Sequence, residues 1–167
     1  MTTPEPSYRT IQLTQGQVAL VSAHRFEEFN AFKWHALWYP GAQSFYAVRN
    51  VRLPTGKWTL ISMHRTVLGL KYGDKRHGDH ANHNALDNRD ENLRIATVSQ
   101  NLCNRGAQRN NTSGFKGVTW DRVANKWRAQ IKSGGKMKHL GAFDDLEIAH
   151  AAYVSASTEL HGLFGRS

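Results

Sequence analysis

Only one stretch of this chain keeps a helical period over several turns. It is "DDLEIAHAAYVSASTELHG", residues 144–162, in which Leu146, Ala149, Tyr153, Ala156 and Leu160 form a single apolar stripe. Asp144 with Glu147 three residues on has the capping-box spacing, and Gly162 marks the stop. Everything upstream is cut into short runs that alternate apolar and polar residues between turn signals. That pattern points to an α+β fold of small antiparallel sheets with few helices.

The runs fall into three groups. In residues 1–73, a β-rich amino-terminal unit, "FKWHALW", "SFYAVRNVRL" and "KWTLISMHRTVLGL" read as strands with turns at "PGAQ" and "PTG". The last of them runs into a helix near His64. "SAHRFEEFNAF" suits a short helix with Ser22 as its cap and Phe26 and Phe29 on one side. Arg49, Arg52 and Lys57 on this sheet would either touch phosphate or form an ordinary solvated face. Residues 74–105 hold the strand "NLRIA" and the helix start "TVSQNLCNR", and residues 106–114, inside "RGAQRNNTSG", read as a linker. From residue 115 onward "FKGVTW", "KWRAQIK" and "KMKHLGAF" predict a three-stranded antiparallel sheet packed on the one long helix.

Charge narrows the function. Lys plus Arg number 22 against 13 Asp plus Glu, a formal charge of +9, which favours a polyanionic partner over an acidic small molecule. The excess is concentrated. Arg105, Arg109, Lys116, Arg122, Lys126, Arg128, Lys132, Lys136 and Lys138 face the single acid Asp121 between residues 105 and 138, nine minus one or +8. One cysteine, Cys103, excludes an internal disulfide and a Cys-rich zinc site. No apolar run approaches spanning length and the polar "MTTPEPSYRT" is not a signal peptide, so a cytoplasmic protein with no membrane partner is expected.

The polar stretch "HGDHANHNALDNRDENLRIATVSQN", His77 to Asn101, carries three histidines, four acidic residues and five asparagines around a foldable strand–helix corner. Asp79 and His80 are adjacent, and Asn101 follows 21 residues after His80, on the expected helix. A carboxylate and a carboxamide oxygen are hard ligands that suit Mg²⁺ or Mn²⁺, leaving positions for water and phosphate. A neutral imidazole beside such a cation would accept a proton from an attacking water. Two other readings stand beside this one. The Asn and Asp residues would satisfy backbone groups in a long loop, or His77, His80 and His83 with Cys103 would bind zinc, although their spacing matches no common zinc pattern and no zinc is expected.

"DHANHNALDNRDENLRIATVSQN" resembles the active-site motif of the HNH endonucleases of the homing type found in bacteriophages and introns, and "MHR" at Met63–Arg65 resembles the same group. The resemblance implies a ββα-metal motif in which His80 is the general base and Asp79 and Asn101 are the metal ligands. It also implies that Asn92 pins the loop and helps orient the histidine. Gly78 departs from it, standing where relatives usually carry an apolar residue such as Val, and Gly costs strand order there.

"SGFKGVTW…NKWRAQIKSGGKMKHLGAFDDLEIAHAAY" resembles the AP2 DNA-binding domain. That resemblance implies that Lys116, Arg128, Gln130, Lys132 and Lys138 face DNA, with the basic neighbours Arg122 and Lys126 beside them. In a major groove, Arg and Gln read base edges and Lys engages phosphate. Thr119 and His139 stand where plant relatives often have Arg and Trp, so no base preference carries over. Together the motifs imply a divalent-metal DNA endonuclease acting on double-stranded DNA as a monomer or homodimer. A regulator that binds DNA without cutting it is the rival reading.

Overall fold

The computed structural model describes residues 6–108 and 110–165. Arg109 and the first five residues of "MTTPEPSYRT" lie outside the described residues. Among the described residues the fold is mixed α+β, with four small antiparallel sheets and few helices. The chain divides into two compact units, Met1–Thr97 and Val98–Ser167.

In the first unit β1 (Tyr8–Gln12) and β2 (Val18–Ser22) form a hairpin. A 3-10 turn at Ala23–Arg25 leads into α1 (Phe26–Asn30). The expected cap is not made: Ser22 Oγ instead accepts the backbone N–H of Asp90 at 2.9 Å. A tertiary bond to a distant turn has taken the hydroxyl that a local cap would use. β3 (His35–Tyr39), β4 (Ser44–Arg52) and β5 (Trp58–Ser62) then make an antiparallel sheet in that order, and α2 (Met63–Val67) starts where β5 ends. β6 (His77–His80) pairs with β7 (Leu93–Ala96), with the 3-10 turn Asp90–Asn92 between them.

One core joins β1, β2, α1, β4, α2 and β7. Ile11, Val21, Phe29, Trp34, Met63 and Leu93 are buried against one another, so residues 74–97 share the interior of the sheets before them. Trp34 satisfies its buried indole N–H on the Phe29 carbonyl at 2.9 Å. The loop before β7 is also stitched to β2: Leu20 N–H donates to Leu86 O and Asn88 N–H donates to Leu20 O, each at 2.8 Å. Arg49 is drawn into this packing, its guanidinium 3.8 Å from the Phe32 ring centre and 5.4 Å from that of Trp34. Arg52 and Lys57 remain exposed.

The second unit begins with α3 (Val98–Cys103). β8 (Val118–Asp121), β9 (Lys126–Ser133) and β10 (Lys136–Phe143) form an antiparallel sheet with β9 in the centre, followed by α4 (Leu146–His161). β8 starts later than "FKGVTW" suggests, because Val118 N–H turns back to Phe115 O at Gly117, whose φ is +74°. The cap of α4 is Asp145, which accepts from Ile148 N–H at 3.0 Å. Asp144, the expected cap, accepts from Lys126 Nζ instead. The stripe behaves as read: Ala149 and Tyr153 are buried against Val118, Ala129 and Ile131, with Leu146, Ala156 and Leu160 packed around them. Among the described residues no helix is long and apolar enough to cross a membrane.

Candidate active site and nucleic-acid face

Asp79 and His80 end β6, and the register of the β6–β7 hairpin sets where each goes. Asp79 sits opposite Arg94 and His80 opposite Leu93, so the two neighbours leave the strand on opposite faces. On one face the Asp79 carboxylate, 6% exposed, accepts from Arg94 Nε at 2.7 Å. On the other, His80 is buried among rings: His64 at 5.0 Å and Tyr46 at 6.0 Å between centroids, each edge-on. Burial holds the His80 imidazole below its ordinary value, while the Asn88 carboxamide and the Asp79 and Asp87 carboxylates act the other way. His80 is therefore neutral at pH 7 and able to accept a proton.

The asparagine-rich loop has a definite structural duty. Asn92 uses both ends of its side chain, Oδ1 accepting from Asn82 N–H at 2.9 Å and Nδ2 donating to Asp87 O at 2.7 Å. Ala81 N–H donates to Asn92 O at 2.8 Å, so the residues directly after His80 are tied to the turn before β7. Asp87 accepts from Asn82 Nδ2 and from Arg89 through Nε and a terminal nitrogen, all at 2.7 Å. Although burial opposes it, the Arg89 pairing keeps the Asp87 carboxyl below its ordinary value. Arg25 in turn donates to Asp90 at 2.8 Å, fastening the loop to the turn before α1. As one of the readings of this loop expects, its Asn side chains satisfy backbone groups, and the result is a bonded frame that fixes the end of β6.

Asn101 is the fourth residue of α3, in the second unit. Among the described residues no group of three or more His, Cys, Asp or Glu side chains is arranged to hold a metal ion. The Asp79 carboxylate offers the hard oxygen that suits a divalent cation, and the Arg94 guanidinium is the positive charge already paired with it. Sequence reasoning missed Arg94, Asn88 and Tyr46, although pairing "DH" with "NLRIA" in register would have found Arg94.

In the second unit, cross-strand pairing gathers Thr119, Arg128, Gln130, Lys132, Met137 and His139 on the sheet face away from α4. Arg128 and Lys132 are exposed, and Arg128 lies 3.7 Å from Asp121. Lys126 points to Asp144 at 3.0 Å, and Arg122 is exposed in the β8–β9 turn. Two expected members of this face lie elsewhere. Lys138 pairs with Ile131, which puts it in register with the helix-covered side, and Lys116 donates through Nζ to the Cys103 carbonyl before β8 begins. The cause for Lys138 is the turn: Gly134 and Gly135, both at positive φ, set Lys136 opposite Ser133 and so decide which sides Met137, Lys138 and His139 take, before the register shifts between His139 and Gly141.

The chain is 35% identical over 88 residues to protein 3.8 of Escherichia phage T7, covering 53% of this chain and 72% of that protein. It belongs to that protein's family. It is also similar, at 27% identity over 150 residues, to an uncharacterised HNH endonuclease of Acanthamoeba polyphaga mimivirus, across 90% of this chain and 74% of the relative. An AP2-like ethylene-responsive transcription factor of Arabidopsis thaliana is 36% identical over 59 residues, which is 35% of this chain and 12% of that much longer protein. No family model and no solved structure matches the chain.

Proposed function

We propose that this protein is a metal-dependent HNH-type DNA endonuclease that hydrolyses phosphodiester bonds. In this reading residues 74–105 carry the HNH motif, and residues 115–167 form an AP2-like DNA-binding module. The observation that carries it is the state of His80: a buried, neutral imidazole at the end of β6, beside Asp79, in a loop locked by Asn92. His80 accepts the proton of the attacking water on a ring nitrogen as the phosphorus–oxygen bond forms. Asp79 and Asn101 offer the hard oxygens for Mg²⁺ or Mn²⁺. When bound, such a cation stabilises the charge that develops on the phosphoryl oxygens and the leaving oxygen. Asn92 keeps the strand end from drifting, since its two hydrogen bonds bracket the residues after His80. Arg128, Gln130 and Lys132 supply groove and phosphate contacts, with Arg122 and Lys126 at the edge of the face.

Nicking of supercoiled plasmid in Mg²⁺, with an EDTA control, tests the reading. His80→Ala should lower the rate by on the order of 10²–10⁴ and leave DNA affinity nearly unchanged. Asp79→Ala and Asn101→Ala should lose activity that higher Mg²⁺ or Mn²⁺ partly restores. Cleavage by His80→Ala at the wild-type rate would refute the role of the histidine. The likeness to plant transcription factors favours a second reading, a DNA-binding regulator that cuts nothing. Wild-type protein that binds duplex DNA but never nicks it would establish that alternative.

A further inference from the structure

His64 lies outside the polar stretch yet packs against its centre. It is the second residue of α2, a short helix held by fully buried Met63 and by Val67. Its ring centre is 5.0 Å from that of His80, tilted by 62°, and 5.7 Å from that of Tyr46. The space it fills exists because residue 78 is glycine. A Cβ built on Gly78 would lie 2.6 Å from His64 Cδ2 and 2.9 Å from Leu68 Cδ1, distances real side chains do not tolerate. Gly78 has an ordinary φ, so its missing side chain answers a need for room and not for a special backbone conformation.

We infer that His64 is a positioning residue for the general base: seated over Gly78, it holds the His80 ring in the orientation that proton abstraction requires. This rests on the nuclease reading above. A base works only within hydrogen-bond reach of its proton, and small displacements at a reacting centre cost large factors in rate. Of the rings around His80, that of His64 is carried by a helix whose neighbouring residues are anchored in the core. Burial, with His80 and Arg65 adding to it, lowers the His64 imidazole to about 3. It therefore presents an uncharged ring edge to His80 and adds no positive charge there at neutral pH. Because Gly78 and His64 share one space, their substitutions are expected to be coupled.

The test is plasmid nicking by the full chain, with kcat, KM, DNA affinity and thermal midpoint measured for each variant. His64→Ala should lower kcat about tenfold, the scale of an edge-to-face ring contact, with KM and DNA affinity unchanged. His64→Phe, which keeps a ring, should recover most of that loss. Gly78→Val should lower kcat in wild-type background by displacing His64, and should cost much less in a His64→Ala background. Equal kcat in wild type and His64→Ala, or additive losses in the Gly78→Val/His64→Ala pair, would overturn the assignment. So would losses in His64→Ala and His64→Phe that match in size and track the thermal midpoint. A wild-type protein that nicks no DNA in Mg²⁺ or Mn²⁺ overturns the nuclease reading itself and this role with it.

Discussion

At the scale of single residues, the first unit concentrates its unusual chemistry at the end of β6. Two imidazoles, His64 and His80, are buried with their rings edge to face, and both are held below their ordinary range by burial. This has a consequence for stability. In the unfolded chain a histidine takes up a proton near pH 6.5, whereas folded His64 does so only at about 3. Between those values the unfolded state binds more protons, so stability falls as pH falls and is fully present only above the unfolded value. At pH 4.5 the cost from His64 is on the order of 2–3 kcal/mol relative to pH 7. His80 acts in the same direction. Urea unfolding at pH 7 and pH 4.5 should show this loss, and His64→Phe should flatten the profile. An unchanged pH slope in that variant would mean that His64 is not buried as a neutral ring.

At the scale of elements, glycines decide how strands meet their covers. Gly78 admits His64 to the hairpin, and Gly117 does the same between β8 and α4. A Cβ on Gly117 would lie 2.2 Å from Tyr153 Cδ2 and 2.6 Å from Gln130 O, and its φ is +74°. Gly117→Ala therefore combines a left-handed backbone penalty with overpacking in the centre of the second core. The sum is about 3 kcal/mol or more. Thermal unfolding should show this as a large drop for the second unit, with the first unit's transition unmoved because its core contains none of these residues. A variant with the wild-type midpoint would show that α4 does not pack over Gly117. The turn at Gly134 and Gly135 has a different duty, since it sets the register of β10 and thereby the membership of the basic face.

At the scale of the whole molecule, the buried imidazoles and most of the excess positive charge belong to two different units with separate cores. Asp79, His80 and Asn92 belong to the first, while Arg128, Gln130 and Lys132 belong to the second. A chain ending near Arg105 keeps Asp79, His80, Asn92 and Asn101 but loses most of the excess positive charge. Its DNA binding should weaken and its salt dependence should become shallower, by about 0.9 in log K against log salt for each phosphate no longer neutralised. Residual nicking should persist at low salt. Residues 109–167 alone should bind duplex DNA and cleave none. Full affinity in the truncated chain would move recognition into the first unit, to exposed groups such as Arg52 and Lys57.

The local pattern alone determined the strand runs around "PGAQ", "PTG" and "SGG", the strand "NLRIA", the helix after it and the stripe of α4. Each depends on periodicity and turn chemistry within a few residues, which a linear reading contains. The sequence also carried the adjacency of Asp79 and His80 and the concentration of charge after residue 105. What it did not contain was register and room. Asp144 and Ser22 were plausible caps by spacing, but Lys126 and Asp90 from elsewhere in the chain claimed their oxygens. Lys138 looked like a member of the DNA face until a two-glycine turn put it opposite Ile131. Gly78 read as a weakness in a strand, whereas packing makes it the space for a second histidine. These outcomes depend on partners distant in sequence, and only the folded chain brings those partners within hydrogen-bond or van der Waals distance.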